Sequence, residues 1–276
     1  MLRQRILTAL VLLPLVIGII FSPPAVFAAA VAAALLVGAW EWARMAGLAG
    51  AVVRAAYLLL AALVLAFLWW AWWRGADALL YGFLIGASGW WLGNGLWLAW
   101  LEHRAHLPPA HRLRDAGGGL LMVGAPYAAL LVLHQGERLG PAWVLFLMLL
   151  LWTADTAAYF TGRALGRHRL ALHISPGKTW EGVAGGLAGS ALAGWLGAVW
   201  FGLAGSQRGW FIAVCLVTAA WSVVGDLYES RIKRTAGMKD SGRLLPGHGG
   251  LMDRIDSLTA AAPAFVTGLW FMGRVA

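Results

Sequence analysis

Residues 55–73 read AAYLLLAALVLAFLWWAWW, nineteen positions without a charge, a proline or a glycine. A helix needs about 20 apolar residues to cross a hydrocarbon core of ~30 Å, so this stretch reads as a membrane span. Working outward, similar runs recur over the whole chain. Nine candidates emerge, at about 6–21, 25–43, 55–73, 78–101, 117–133, 141–159, 183–203, 210–228 and 257–272. Pro23-Pro24 separates the first two. The runs lack the alternation of barrel strands, and lone strands leave backbone groups unpaired in lipid, so helices follow. The expected fold is all-α: a polytopic integral membrane protein with about nine transmembrane helices.

Composition agrees. Of 276 residues, 21 are basic and 12 acidic, and 61% are apolar. A soluble domain carries roughly 25% charged residues, twice the 12% found here. That excludes a disordered chain, a disulfide scaffold and a soluble α/β enzyme. The single cysteine, Cys215, lies in an apolar run and reads as a small buried hydrophobe. Arg3, Arg5 and Ala25-Val26-Phe27-Ala28 have the flavour of a signal peptide, but eight further spans follow, so an uncleaved first helix is expected.

The net charge of +9 would suggest nucleic acid in a soluble protein. Here its placement decides. With a cytoplasmic N-terminus, 17 basic residues fall in cytoplasmic segments and four (Arg74, Arg138, Arg208 and Arg274) fall outside. The positive-inside rule therefore predicts that orientation, and predicts no nucleic-acid partner. The same rule accounts for Arg231 and for the arginines of the early loops. Trp40, Trp42, Trp72, Trp73, Trp97, Trp100 and Trp210 lie near span ends, as an interfacial belt would. Gly182, Gly185, Gly186, Gly189 and Gly194 suggest close helix packing in the seventh span.

Two cytoplasmic loops hold most of the polar variety, one after span six and one between spans eight and nine. Asp155 and Asp226 sit inside or at the ends of apolar runs, where carboxylates usually face a partner or a polar cavity. Asp226 and Ser230 share a helical face, and Asp253 and Asp256 open span nine. Oxygen ligands at two helix ends suit a hard cation such as Mg²⁺, and no cysteine favours zinc. The acids could instead pair with arginines, which is the simpler reading for Glu229 and Asp240. Lys233, Arg234, Lys239, Arg243 and Arg254 surround them, as a phosphorylated substrate would require. All three lysines, Lys178, Lys233 and Lys239, lie in these loops. Gly247-His248-Gly249-Gly250 permits close backbone approach to a phosphate. Gly177-Lys178-Thr179 is not a P-loop, because Leu172 stands where a glycine is needed and no strand signal precedes it.

Ser230-Arg231-Ile232-Lys233-Arg234, Lys239-Asp240 and Pro246-Gly247-His248-Gly249-Gly250-Leu251-Met252-Asp253-Arg254-Ile255-Asp256 resemble the signature of the phosphatidate cytidylyltransferase (CDP-diacylglycerol synthase) family. Asp155, Ala158-Tyr159, Gly162-Arg163 and the run from Ser175 to Gly182 are similar to its less formal pattern. In the N-terminal half only Glu41-Trp42 matches, weakly. The resemblance implies that CTP and phosphatidate give CDP-diacylglycerol and pyrophosphate. It implies Asp226 and Asp253 as metal ligands with Ser230 nearby, Mg²⁺ as cofactor, and room for a second, monovalent cation such as K⁺. Lys233, Lys239, Lys178 and Asp155 join the two aspartates as candidate catalytic groups. Arg234, Arg243, His248, Gly249, Gly250 and Arg254 are candidates for substrate binding.

A single membrane-embedded catalytic domain over 1–276 is expected, with N-terminal spans to about 134 and the motif-bearing half from about 141. It would lie in the inner (cytoplasmic) membrane with its site on the cytoplasmic side, and a homodimer is left open. A CTP-dependent polyprenol kinase and a transporter are the rival readings.

Overall fold

A computed structural model describes residues 2–104, 109, 111–135, 139–244, 246–247 and 249–275, with backbone only for 2–7 and 9. The described residues form nine helices: α1 (Leu2–Ile20), α2 (Pro24–Met45), α3 (Ala51–Trp73), α4 (Asp77–His103), α5 (Arg112–His134), α6 (Gly140–Leu165), α7 (Trp180–Trp200), α8 (Ser206–Thr235) and α9 (Met252–Phe271). Each covers one expected run. By length and composition, α2, α3, α5, α6, α7 and α8 are apolar enough to cross a membrane. The chain is thus an all-α polytopic membrane protein.

Pro24 opens α2 at its first position, where the missing N–H costs nothing and the fixed φ suits a helix start. The helix ends segregate to two faces. At one face, Trp42 Nε1 at the end of α2 donates to the Asp115 carbonyl at the start of α5, 2.7 Å away. Tyr57 of α3 reaches the Ala116 carbonyl at 3.1 Å. At the other face, His134 Nε2 lies 3.0 Å from the Ile20 carbonyl at the end of α1, and Trp143 stacks on Phe201 with ring centroids 3.7 Å apart. Arg274 donates to Gln207 there too.

Two expectations change at the first face. The segment after Tyr228 is not loop: α8 runs on to Thr235, because nothing from Glu229 to Thr235 breaks a helix. The segment after α6 is not plain loop either. β1 (Arg169–Ala171) pairs antiparallel with β2 (Ser175–Thr179), so Gly177-Lys178-Thr179 is itself strand and leads directly into α7. Thr179 caps α7 by accepting from Gly182 N at 3.1 Å. A hairpin this small holds because its turn is pinned from outside. His173 donates its N–H to Glu102 Oε1 of α4 at 3.1 Å, and Arg234 Nε donates to the Ile174 carbonyl at 3.3 Å.

The glycines of α7 act as expected. A Cβ on Gly185 would collide with Thr161 Oγ1, and one on Gly189 would come within 2.8 Å of Ala157 Cβ, so α7 lies directly against α6. Cys215 is fully buried, as expected. The tryptophan belt holds only in part. Trp40, Trp73, Trp100 and Trp210 are exposed, but Trp42 is fully buried, because its indole N–H finds the Asp115 carbonyl inside the protein.

Candidate active site

A cavity of about 680 Å³ lies between α6, α7 and α8, closed by the hairpin and the start of α9. Asp155, Asp226, Asp253 and Asp256 line it, with Lys178, Arg163 and Arg169. Deeper in, Ala154, Val183, Leu187, Ala219 and Val223 make it apolar. The cavity therefore offers charge at one end and hydrocarbon at the other.

Asp226 projects from α8, where Ser230 one turn on donates to its Oδ1 at 3.2 Å. Lys178 Nζ, carried in by β2, lies 2.7 Å from Oδ2. Asp253 opens α9, where a carboxylate is favoured by the helix dipole. Its Oδ2 accepts from Ser241 N and Gly250 N, both at 2.9 Å, and its Oδ1 from Lys233 Nζ at 2.7 Å. The same ammonium lies 2.7 Å from Glu229 Oε2. Lys233, itself on α8, thus ties that helix to α9 through Asp253, and Glu229, one turn before it on α8, pairs with a lysine rather than an arginine.

The other expected residues fall into groups. Gly249 and Gly250 do not line the cavity; Gly249 makes room for Asp253, and Gly250 for Ser241 and Glu41. Gly249 has φ +85°, and a Cβ there would stand 2.8 Å from Asp253 Oδ2. Arg234 spends its Nε on the hairpin. Lys239, Arg243 and Arg254 are exposed and do not line the cavity. His248 lies outside the described residues.

Arg231 departs from the topological reading. It is fully buried, with one terminal nitrogen 2.7 Å from Asp115 Oδ1 and its guanidinium over the rings of Trp97 and Tyr228 at 4.9 and 5.2 Å. It is a structural cation, not a loop charge, because α8 continues past the point where a loop was expected. Trp97 likewise serves this cation and not a lipid interface.

Sequence reasoning passed over Arg163, Arg169 and Asp256 as site residues. Arg163 and Arg169 were absorbed into the inside charge count, though α6 carries the first and β1 the second to the cavity. Neither has a carboxylate partner among the described residues. Arg163 donates one N–H to the Tyr159 hydroxyl oxygen, at 2.9 Å. Asp256 was paired with Asp253 by its spacing but given no role of its own.

Among the described residues, no three His, Cys, Asp or Glu side chains form a ready metal cage. The donor chemistry nevertheless suits a hard divalent cation. The cavity acids are all carboxylates, and such an ion typically takes one or two of these with substrate phosphates. Asp226 and Asp253 are at present neutralised by Lys178 and Lys233, so a cation would share or replace those ammonium contacts.

These features define a class: a polytopic membrane protein with a half-charged, half-apolar cavity suited to an amphipathic phosphorylated substrate. Comparison with known proteins makes this specific. The chain belongs to the cytidylyltransferase family, whose model matches residues 3–272, and it is a nucleotidyltransferase that uses CTP. It is similar to the phosphatidate cytidylyltransferase of Pseudomonas aeruginosa, 42% identical over 284 residues, 99% of this chain and 98% of the relative. The protein of the same name from Haemophilus influenzae is 36% identical over 289 residues, covering 96% and 97%. That of Brucella suis is 46% identical over 145 residues, about half of each chain. Enzymes of this family generally use a divalent metal.

Proposed function

We infer that the chain transfers the cytidylyl group of CTP to phosphatidate, giving CDP-diacylglycerol and pyrophosphate. The observation that carries this reading is the cavity itself. It joins Asp226, Asp253, Lys178, Arg163 and Arg169 to an apolar floor between α6, α7 and α8. A lipid phosphate fits it without leaving the bilayer, where each CH₂ withdrawn would cost ~0.8 kcal/mol.

An oxygen of the phosphatidate phosphate attacks the α-phosphorus of CTP in line. The bond from that phosphorus to the bridging oxygen breaks, and pyrophosphate leaves. The attacking oxygen is already anionic, so no general base is needed. Lys178 and Lys233 offset the repulsion between the two substrates, and Arg163 and Arg169 receive the phosphates of CTP at the cavity mouth. Mg²⁺ would be held by Asp226 and Asp253 with Ser230 beside them, and would supply charge neutralisation at the phosphate oxygens. Asp155 and Asp256 are the remaining cavity acids that could serve a second, monovalent cation such as K⁺.

We place the site at the cytoplasmic side of the inner membrane, with nine crossings and a cytoplasmic N-terminus. Two facts support this: the 17-to-4 division of basic residues, and the meeting of alternate helix ends at the cavity face.

Incubation of the purified full-length protein with α-³²P-CTP, phosphatidate and Mg²⁺ tests the reading. Label is expected in the lipid. Label confined to the aqueous phase would overturn it, and transfer of γ-label alone would favour a lipid kinase. Full activity in excess chelator would overturn the metal assignment.

A further inference from the structure

The geometry points to Glu41, on α2, as the positioning residue that sets Asp253 for catalysis. Glu41 is only 3% exposed, and among the described residues no cation pairs with it. It is held instead by donors some 200 positions away. Its Oε2 accepts from Ser241 Oγ at 2.9 Å and from Met252 N at 2.8 Å, and its Oε1 accepts from Leu251 N at 3.1 Å. Two of these are free N–H groups at the start of α9, where the helix dipole favours an anion.

The contacts pass directly to Asp253. Ser241, whose hydroxyl donates to Glu41, accepts from Asp253 N at 3.3 Å and donates its own N–H to Asp253 Oδ2. Gly250, adjoining the donor Leu251, supplies the second N–H to that oxygen. The strand of contacts is Glu41, then Ser241 and the start of α9, then Asp253. The glycines show how tightly it is built. A Cβ on Gly242 or Gly250 would run into the Glu41 carboxylate.

A buried carboxylate with three donors is rigid, because moving it would leave buried donors without a partner. Glu41 therefore fixes the direction of Asp253 without reaching the cavity, which it does not line. Groups that orient a metal-binding carboxylate typically change metal affinity or activity by 10–100-fold when altered.

This rests on the assignment of Asp253 as a metal-binding carboxylate. In full-length protein, Glu41→Gln places an amide NH₂ against the N–H groups of α9. The turnover number is expected to fall about 10–100-fold, with KM for CTP within about twofold and the half-saturating Mg²⁺ concentration raised. Hydrogen exchange of the amides of Ser241 and Gly250–Asp253 should quicken, while that of α6 and α7 does not change. Ser241→Ala, which removes only the hydroxyl link, should shift the same quantities less, and it decides the matter if Glu41→Gln does not fold. Unchanged exchange and unchanged Mg²⁺ dependence in a folded variant would overturn the proposal. An active Asp253→Asn protein would overturn the metal reading instead, so the two failures are separable.

Discussion

Lys178 of β2 and Asp226 of α8 form an ion pair of 2.7 Å across the mouth of the cavity. They lie 48 positions apart in sequence, and the hairpin alone brings them together. Each is only about a quarter to a third exposed, so the pair works in a partly desolvated setting where charge is felt more strongly than in water. In the mechanism proposed above, the pair holds a cation ready for the phosphate oxygens and an anion ready for a metal.

Lys178→Met is therefore expected to lower the turnover number by roughly 10²–10³-fold, the range seen when one transition-state donor is removed. Lys178→Arg should not restore it. A planar guanidinium cannot replace a compact ammonium at 2.7 Å from one oxygen without moving the hairpin. Steady-state transfer of α-labelled CMP to phosphatidate measures both.

Arg163→Gln and Arg169→Gln should act differently. Among the described residues neither guanidinium is committed to a carboxylate, and both line the cavity mouth. Loss of either should raise KM for CTP by about tenfold, equivalent to ~1.4 kcal/mol, with a smaller effect on turnover. The same substitution at Arg243, which is exposed and away from the cavity, should leave KM for CTP unchanged.

Much of this was legible beforehand, for identifiable reasons. Long apolar runs mark helices because lipid demands internal hydrogen bonding, and all nine runs are helical. Asp155 and Asp226 stood out because a carboxylate in an apolar run needs a reason, and Asp253 because it opens span nine inside the family-like motif. What local sequence could not show was which cations reach the cavity. Arg231 and Arg234 are three apart on α8, yet one is buried on Asp115 and the other serves the hairpin. Their fates depend on α5 and on the turn between β1 and β2, which are far away in sequence. Glu41 was hidden in the same way, since its partners begin at Ser241.

Gly185 tests the packing that forms one wall of the cavity. Gly185→Leu would drive a side chain into Thr161 and push α7 from α6. A cost of about 1–3 kcal/mol is expected from overpacking, with activity falling as the wall shifts. Gly93, whose Cβ position has open space around it, is the control and should tolerate alanine. Thermal unfolding in detergent compares the two.

The buried pair of Arg231 and Asp115 should respond asymmetrically to mutation. Asp115 has three partners: Arg231 at 2.7 Å, Arg114 Nε at 3.1 Å and His111 N at 2.9 Å. Arg231 has one carboxylate, and its Nε and second terminal nitrogen lack hydrogen-bond partners among the described residues. Asp115→Asn strands a fully buried cation and should cost ~3–5 kcal/mol, as breaking buried pairs does. Arg231→Met leaves the carboxylate with Arg114 and the cap at His111, so it should cost less. The double variant should be more stable than the sum of the two losses implies, because neither charge is then left alone. If the two single variants unfold at the same temperature, Arg114 and His111 N do not compensate Asp115 as their distances imply.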